Sequence, residues 1–308
     1  MIVLTDEDVA RLDPHAAVEA MRAALCAHAE GGLIAPPRMD SGSHEDSIML
    51  SAGSLVGKSF GFRAYTEGNI HADQIVALYN RPTWELEAIV VGHLLGERRT
   101  GAIGAVAINA MADPNASTVG LIGAGAQAYS QLWALRAVRA IARVRVFSRN
   151  AGNLEAFALR VREDLGLAVE TVMDPESAVR DAEIVILSTS AKTPVIEASW
   201  VRGGAHVTTL GAKTVRAHEC PIELVRRAST VLTDSQVQLA NYGAEPISNV
   251  GGHAAGLLGD LLLGRRTLET HDIGHDIRLF ISVGITGTES LLAKTLVAHL
   301  EVKSKCVV

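Results

Sequence analysis

Residues 119–127 read Val-Gly-Leu-Ile-Gly-Ala-Gly-Ala-Gln, and no other stretch of the chain constrains its fold as strongly. The apolar run ends in the turn Gly123-Ala124-Gly125, and apolar residues then recur at helical spacing. A glycine turn between a buried strand and a helix is typical of a dinucleotide-binding unit, in which the helix N-terminus faces the pyrophosphate. The alternative is a glycine-rich turn in an α/β protein that binds no cofactor. The flanking strand and helix patterns favour the dinucleotide-binding unit.

Strand and helix patterns alternate beyond residue 114, which predicts an α/β domain with a Rossmann-type doubly wound parallel sheet. The predicted helices lie at 153–165 and 176–181, and the pattern past residue 234 reads as helical. The predicted strands are 118–122, 143–147, 184–188, 206–210 and 230–233.

Residues 1–113 show a different pattern, in which alternating segments separated by turn residues predict an α+β region with an antiparallel sheet. A helix is predicted at 98–112, and Asp113-Pro114-Asn115 is the predicted domain boundary. A last helix at about 289–300 is expected to return to the first region. The sequence therefore predicts one domain of residues 1–113, with 289–308 returning to it, and a second domain of residues 114–288. The predicted strands of the first domain are 48–50, 61–65, 75–79 and 88–91.

The composition excludes several classes of protein. A net charge of −6 gives no basis for binding nucleic acid. No apolar run reaches the roughly 18 residues that a membrane-spanning helix needs. The 11 histidines and three cysteines have no metal-ligand spacing, so no metal site is predicted. An odd cysteine count and an early acidic N-terminus favour a cytoplasmic protein.

The end of the second predicted parallel strand indicates which dinucleotide is bound. NAD-binding units usually place a carboxylate there, where it bonds the ribose 2′-hydroxyl. This chain has Ser148-Arg149-Asn150 instead. A serine hydroxyl and a guanidinium suit a 2′-phosphate, which a carboxylate would repel. The sequence therefore favours NADP(H) over NAD(H), and a solvated arginine at a strand end is the alternative.

Several short motifs, taken in their order along the chain, resemble those of the ornithine cyclodeaminase and mu-crystallin family. They span about residues 36–290, which is nearly the whole chain. The resemblance implies a two-domain fold in which the first domain binds the substrate and forms a homodimer through its sheet. The motifs are Arg98-Arg99-Thr100-Gly101-Ala102, Gly123-Ala124-Gly125-Ala126-Gln127-Ala128, Ser188-Thr189, Leu210-Gly211-Ala212, His218-Glu219, Thr233-Asp234-Ser235 and Leu279-Phe280-Ile281-Ser282-Val283-Gly284.

The resemblance also implies the roles of individual residues. Arg38 and Arg99 match carboxylate-binding arginines, and Thr100 matches a threonine that contacts the cofactor phosphate. Paired guanidinium groups suit a carboxylate because each can bond it through a planar fork. The expected cofactor-binding residues are Thr100, Gly123, Gly125, Ala126, Gln127, Ser148, Arg149, Asn150, Ser188, Thr189, Gly211 and Val283.

Two positions depart from the family pattern. The family's substrate lysine, in a Gly-x-Lys strand, is replaced by Arg63 in Gly61-Phe62-Arg63, and Lys58 is an alternative match. Lys213 follows Gly211-Ala212, where cyclodeaminases have an aspartate that handles the substrate amine. A lysine at this position would repel a substrate ammonium, which argues against cyclodeamination. An exposed lysine without a role is the other interpretation.

These observations predict an NAD(P)H-dependent imino acid (ketimine) reductase or a related amino-acid dehydrogenase, acting on a C=N or CH–NH bond. Arg38, Arg63 and Arg99 would orient the carboxylate, and Lys213 or a water would supply a proton. One alternative is an ornithine cyclodeaminase-like ammonia lyase with bound NAD. Another is a small-ligand binding protein that keeps NADPH. The expected partners are a small carboxylate-bearing imino or amino acid and a second copy of the chain, with neither nucleic acid nor membrane.

Overall fold

The computed structural model describes residues 1–42, 47–66, 73–250, 252, 254–268 and 276–305, with side chains described up to residue 301. Residues 306–308 of the predicted returning segment lie outside the described residues. The first region contains a seven-stranded sheet. Its strands are β1 (Ile2–Leu4), β2 (Leu33–Ile34), β3 (Met39–Asp40), β4 (Ile48–Leu55), β5 (Ser59–Thr66), β6 (Ile75–Tyr79) and β7 (Leu86–Val91).

The strands of this sheet follow the order β1-β7-β6-β5-β4-β2, and β3 also pairs with β4. All pairs are antiparallel except β1 with β7. The antiparallel sheet predicted from the alternating pattern is therefore present, with one parallel pair at its edge.

A second sheet of eight strands lies beyond residue 117, and every pair in it is parallel. The order is β10-β9-β8-β11-β12-β17-β15-β16, so the chain reverses direction across the sheet next to β8. Ligands of doubly wound sheets bind beyond the carboxyl ends of the strands at such a reversal. The strands are β8 (Thr118–Ile122), β9 (Arg143–Phe147), β10 (Val169–Thr171), β11 (Ile184–Leu187), β12 (His206–Thr209), β15 (Ala228–Thr233), β16 (Gly256–Leu257) and β17 (Ile277–Ile281), with a separate hairpin of β13 (Lys213–Thr214) and β14 (Ala217–His218).

Helices cover the two sheets and connect them. They are α1 (Asp6–Val9), α2 (Pro14–Ala29), α3 (Leu94–Met111), α4 (Ala126–Leu135), α5 (Ala151–Leu165), α6 (Pro175–Val179), α7 (Ile222–Arg227), α8 (Gln236–Ala240), α9 (Ile247–Val250), α10 (Leu258–Leu262) and α11 (Thr288–Lys305). The last helix, α11, packs against β5, β6 and α2, so the end of the chain returns to the first sheet. None of the helices within the described residues is long and apolar enough to span a membrane.

The helical pattern predicted past residue 234 is wrong for β17. This strand lies between β12 and β15 in the middle of the parallel sheet, and all five of its residues are buried. A strand that is buried on both faces has no polar–apolar alternation, so its sequence cannot be distinguished from a buried helix by periodicity.

The long helix α3 connects the two regions and carries two of the predicted site residues, Arg99 and Thr100. It packs closely against α4 of the parallel-sheet region. At its N-terminus, the carboxylate of Asp6 accepts the backbone N–H of Leu94 at 2.9 Å. At its C-terminus, Arg278 donates to the carbonyl of Met111 at 2.7 Å. The negative charge of Asp6 at the N-terminus and the positive charge of Arg278 at the C-terminus both interact favourably with the dipole of α3. These contacts stabilise the position of α3 between the two sheets.

Candidate active site

A cavity of about 1270 Å³ lies between the two sheets, at the carboxyl ends of β8, β9, β11 and β12. It exceeds the roughly 300–1,000 Å³ that encloses a drug-sized ligand, so it has room for a large ligand beside a small one. Arg63 and α3 form its wall on the side of the first sheet. Twelve of the predicted site residues line it: Arg63, Thr100, Gly123, Gly125, Ala126, Gln127, Ser148, Arg149, Asn150, Ser188, Thr189 and Gly211.

The glycine turn between β8 and α4 has the geometry that a dinucleotide site requires. Gly123 has φ +110°, and a Cβ there would collide with the carbonyl oxygen of Ser188. Gly125 is the N-cap of α4, and a Cβ there would meet no atom within 4 Å among the described residues. The buried Oε1 of Gln127, in the first turn of α4, has no hydrogen-bond partner in the described structure. The open space at Gly125 and the free helix N-terminus fit a pyrophosphate.

The segment after β9 lies at one end of the cavity. Ser148 is half-buried and Arg149 is exposed, and both line the cavity wall. Asn150 also lines it, but its Oδ1 accepts the backbone N–H of Asn153 at 3.1 Å and so caps α5. The carboxamide oxygen of Asn150 is thus engaged in the cap, while its amide nitrogen takes no part in it.

The carboxylate of Glu219 joins the loop after β11 to the loop after β12 by hydrogen bonds. Its buried carboxylate accepts the hydroxyl of Thr189 at 2.7 Å and the backbone N–H groups of Thr189 and Leu210 at 2.9 and 3.0 Å. The backbone N–H of Gly211 also donates to it. Thr189 and Gly211 line the cavity, but these polar groups are bonded to Glu219. Their contribution to the site is the shape of the cavity wall.

Arg63, rather than Lys58, faces the cavity. Arg63 lies on β5, and its Nη1 donates to Oε1 of Glu289 at 3.2 Å. Its guanidinium lies across α3 at Gly96, where a Cβ would be 2.9 Å from Nη2. Lys58 is exposed in the turn between β4 and β5. The lack of a side chain at Gly96 thus makes room for an arginine at this place.

Glu289, at the start of α11, is the centre of a buried charge cluster. Its Oε1 also accepts from Nη2 of Arg99 at 2.7 Å, and the side chains of Arg99 and Glu289 are 4% and 3% exposed. Burial alone would raise the pKa of this carboxyl, but the charges of Arg99, Arg63 and Arg38 outweigh it and lower the pKa from 4.5 to about 2. The carboxylate stays ionised at neutral pH, and the three arginines leave an excess of positive charge beside the cavity.

Arg38 belongs to a segment that runs from the first sheet across the second region. Its Nη2 donates to the carbonyls of Val283 and Gly284 at 2.9 and 3.2 Å. Its backbone N–H donates to the side-chain oxygen of Gln238 at 3.0 Å. A Cβ at Gly284 would be 2.5 Å from Nη2 of Arg38 and would also collide with Arg99. The guanidinium groups of Arg38 and Arg99 therefore converge on Gly284.

Four predicted site residues do not line the cavity. The guanidinium groups of Arg38 and Arg99 are bonded to the carbonyls of Val283 and Gly284 and to Glu289, respectively. Val283 is 4% exposed, and its backbone N–H donates to Asp234 at 2.8 Å. Lys213 is 5% exposed, and its ammonium donates to the carbonyls of Leu210, at 3.0 Å, and Ser282. Lys213 is therefore not an exposed lysine; two backbone carbonyls bond its ammonium, and it does not line the cavity.

Thr100 lines the cavity one turn after Gly96 on α3. Its hydroxyl donates to the carbonyl of Gly96 at 3.0 Å, so it faces a ligand as an acceptor until the hydroxyl rotates. Its own carbonyl accepts from Nε2 of Gln131 on α4 at 3.1 Å. The predicted phosphate contact from this hydroxyl would thus require the bond to Gly96 to break.

Sequence reasoning missed three residues that shape the site. Gln74 and His93 line the cavity, and Glu289 bonds Arg63 and Arg99. Glu219 and Asp234, which bond the segments around the cavity, belong to motifs found in the sequence. Most of these contacts join residues far apart in the chain, and local patterns do not reveal such pairs. One sequence clue exists, because His93 directly precedes the helix that carries the Arg99 motif.

The family model for the ornithine cyclodeaminase/mu-crystallin family matches residues 2–301 of this chain. A Delta(1)-pyrroline-2-carboxylate reductase of Bacillus cereus is 31% identical over 230 residues, which are 72% of this chain and 69% of that protein. An uncharacterized cyclodeaminase of Sinorhizobium fredii is 32% identical over 170 residues, which are 55% of this chain. This match spans only about half, 51%, of the length of the Sinorhizobium protein.

The structure is also similar to a solved one over almost its full length. Delta(1)-pyrroline-2-carboxylate reductase of Thermococcus litoralis, solved in complex with NADH and L-proline, aligns with a TM-score of 0.87 and 25% identity. The alignment covers 98% of each chain, so both sheets and the helices between them are shared.

Proposed function

The chain belongs to the ornithine cyclodeaminase/mu-crystallin family, and we propose that it is an NAD(P)H-dependent reductase of a carboxylate-bearing imine. One observation carries this proposal: the glycine turn before α4 and the guanidinium of Arg63 line the same cavity. A dinucleotide site and a carboxylate-binding cation therefore face each other. The relatives named as Delta(1)-pyrroline-2-carboxylate reductases support this substrate class.

In this proposal the protein binds and orients the substrate. Arg63 contacts the carboxylate, while Arg99 and Arg38 contribute positive charge without lining the cavity. Bound NAD(P)H supplies the hydride, and the protein supplies geometry and electrostatic field. Fixing a small acid in one orientation beside the cofactor can account for much of the barrier reduction. Lys213 has no step in this account, because its ammonium is bonded to Leu210 and Ser282 and does not line the cavity.

A cyclodeaminase receives less support from the site. Its substrate carries a second amine, and the position after Gly211-Ala212, where cyclodeaminases have an aspartate for that amine, is Lys213 in this chain. The Sinorhizobium relative keeps this reaction as the alternative. The reductase and the cyclodeaminase can be distinguished by measuring NADPH oxidation by the purified protein with a panel of cyclic and acyclic imino acids. We expect turnover with a cyclic ketimine carboxylate; ammonia release from ornithine without added cofactor would support the cyclodeaminase instead.

We propose that the preferred cofactor is NADP(H). Ser148 and Arg149 line the cavity after β9, and within the described residues no carboxylate pairs with Arg149. A guanidinium without an internal partner is available to a 2′-phosphate, and charge-assisted bonds of this kind contribute about 1.5–3 kcal/mol.

Arg149→Ala should therefore weaken NADPH binding by about 10- to 100-fold and change NADH binding little. Titration of both cofactors by calorimetry or fluorescence measures this. Arg143→Ala is the matched control, because Arg143 is an exposed arginine at the opposite end of the same strand. Equal losses for the two cofactors in Arg149→Ala, or no loss for either, would refute the assignment.

We also propose that residues 1–113, with 289–308 returning, form a substrate-binding and dimerisation domain, and that 114–288 form the dinucleotide-binding domain. The sheet face turned away from α11 is apolar: it carries Ile34, Ile48, Phe60, Phe62 and Tyr79. Ile34 and Ile48 are 57% and 48% exposed there. A contiguous exposed apolar face favours association, so light scattering should give twice the mass of one chain, and a monomer would argue against this interface.

A further inference from the structure

Gln74 lies between Arg63 and His93, and all three residues line the cavity. Nε of Arg63 donates to Oε1 of Gln74 at 3.1 Å, and Nη2 of Arg63 donates to the same oxygen. On the other side, Nε2 of Gln74 is 3.2 Å from Nδ1 of His93. A continuous hydrogen-bonded chain thus joins the proposed carboxylate-binding arginine to a histidine.

Arg63 fixes which group donates and which accepts in each hydrogen bond between Arg63, Gln74 and His93. A guanidinium can only donate, so the oxygen of the Gln74 carboxamide must face it. The NH₂ group of Gln74 then faces His93, and Nδ1 of the imidazole must accept its hydrogen. Nδ1 therefore carries no proton, and the ring is the neutral tautomer with its hydrogen on Nε2.

The other arrangements each place two donors against each other. A charged imidazolium would direct its Nδ1–H at the NH₂ of Gln74. A flipped carboxamide would direct that NH₂ at the guanidinium of Arg63. Asp6 and Glu97 are the acidic groups near His93 within the described residues. Asp6 accepts the backbone N–H of His93 at 3.1 Å, and neither carboxylate bonds the ring.

The N–H groups of Arg63 and His93 that have no partner among the described residues indicate a ligand with oxygen acceptors. Three of the five N–H bonds of Arg63 are used by Gln74 and Glu289, which leaves two. Within the described part of the chain, no residue bonds Nε2 of His93. Because Gln74 bonds both residues, it fixes the spacing between the free N–H bonds of Arg63 and the Nε2–H of His93.

We propose that His93 binds the substrate carboxylate through Nε2–H, beside Arg63, and that Gln74 is the positioning residue that fixes the tautomer of His93. This inference rests on the proposed function, because it assigns the substrate class of the same cavity. The Nε2–H of His93 is an uncharged donor, so it adds no charge to the site and contributes selectivity instead. It favours a ligand oxygen that can accept its hydrogen and disfavours a ligand amine that must itself donate.

The test combines nitrogen NMR of the histidine rings with ligand binding. In ¹⁵N-labelled protein loaded with NADPH, the ring signals of His93 are identified by their loss in His93→Phe. Gln74→Glu is the key variant, because a carboxylate still accepts from Arg63 but offers no hydrogen to Nδ1. We expect hydrogen on Nε2 in the wild type and on Nδ1 in Gln74→Glu.

The binding arm uses pyrrole-2-carboxylate, a planar carboxylate probe, titrated into the NADPH-loaded protein. We expect affinity to fall about tenfold or more in both His93→Phe and Gln74→Glu, with NADPH affinity unchanged. His218→Phe, a histidine outside the cavity lining, is the control and should bind as the wild type does. Hydrogen on Nδ1 in the wild type, or unchanged probe affinity in both variants, overturns the proposal. Neither readout needs turnover, so a failure of the reductase function alone would leave both results intact.

Discussion

Replacing Glu289 with glutamine should lower the free energy of unfolding by about 3–5 kcal/mol at neutral pH. Glutamine keeps the volume of the side chain, so the loss comes from charge. Arg99, 4% exposed, and Arg63, 13% exposed, would then face each other without the carboxylate that both now bond. Urea unfolding of wild type and variant at pH 7 measures the difference.

The pH dependence provides a second test of the same cluster. The folded-state pKa of Glu289, about 2, lies below its ordinary value of 4.5. Its contribution is therefore fully present above pH 4.5 and is lost as the pH falls toward 2. The stability difference between wild type and Glu289→Gln should shrink as unfolding is measured at successively lower pH below 4.5.

Lys294→Gln is the matched control on the same helix. Lys294 pairs with Glu87 at 2.6 Å, but its side chain is 39% exposed. Water screens the lysine end of this pair, while the side chain of Glu87 is 17% exposed, so we expect a loss of stability that is clearly smaller than that of Glu289→Gln. If Glu289→Gln were no more destabilising than Lys294→Gln, the buried cluster would not stabilise the fold as described.

Gly125→Ala should abolish most cofactor binding while leaving the fold intact. Gly125 has φ −100°, which alanine adopts freely, and its Cβ would meet no atom within 4 Å among the described residues. The added methyl would instead occupy the space through which the pyrophosphate approaches the backbone. We expect NADPH affinity to fall about tenfold or more, with the unfolding free energy within about 0.5 kcal/mol of wild type.

Gly152→Ala supplies the control for this substitution. Gly152 lies in the exposed first turn of α5, and a Cβ there would meet only Oδ1 of Asn150, at an ordinary 3.5 Å. NADPH should bind this variant as it binds the wild type. Equal affinity in Gly125→Ala and wild type would mean that the dinucleotide does not lie over the turn.

The sequence predicts the parts of this protein that depend on neighbours in the chain. The strands Thr118–Ile122 and Arg143–Phe147 have their predicted bounds, because an apolar run followed by glycine or polar residues marks a buried strand and its end. The glycine turn and the residues after β9 also line the cavity, as the sequence predicts, because ligands of parallel sheets bind where the strands end. The central strand Ile277–Ile281 escaped prediction because it is buried on both faces.

The charge cluster could not be predicted, because its members pair across long separations in the chain. Glu289 bonds Arg99 over 190 residues and Arg63 over 226. An acidic residue at the start of a helix is common and favourable by itself, so nothing local marks Glu289. The choice between Lys58 and Arg63 also needed the structure, because it depends on where the turn between β4 and β5 falls.

Hydride transfer is the central claim, and it can be followed with deuterium. The measurement is the reduction of Δ1-pyrroline-2-carboxylate by the purified protein with NADPH in which both hydrogens at C4 of the nicotinamide are deuterium. The account predicts proline with one deuterium at the α carbon and one NADP⁺ formed for each proline. Proline without deuterium, or no oxidation of NADPH or NADH with any imino acid, would contradict it.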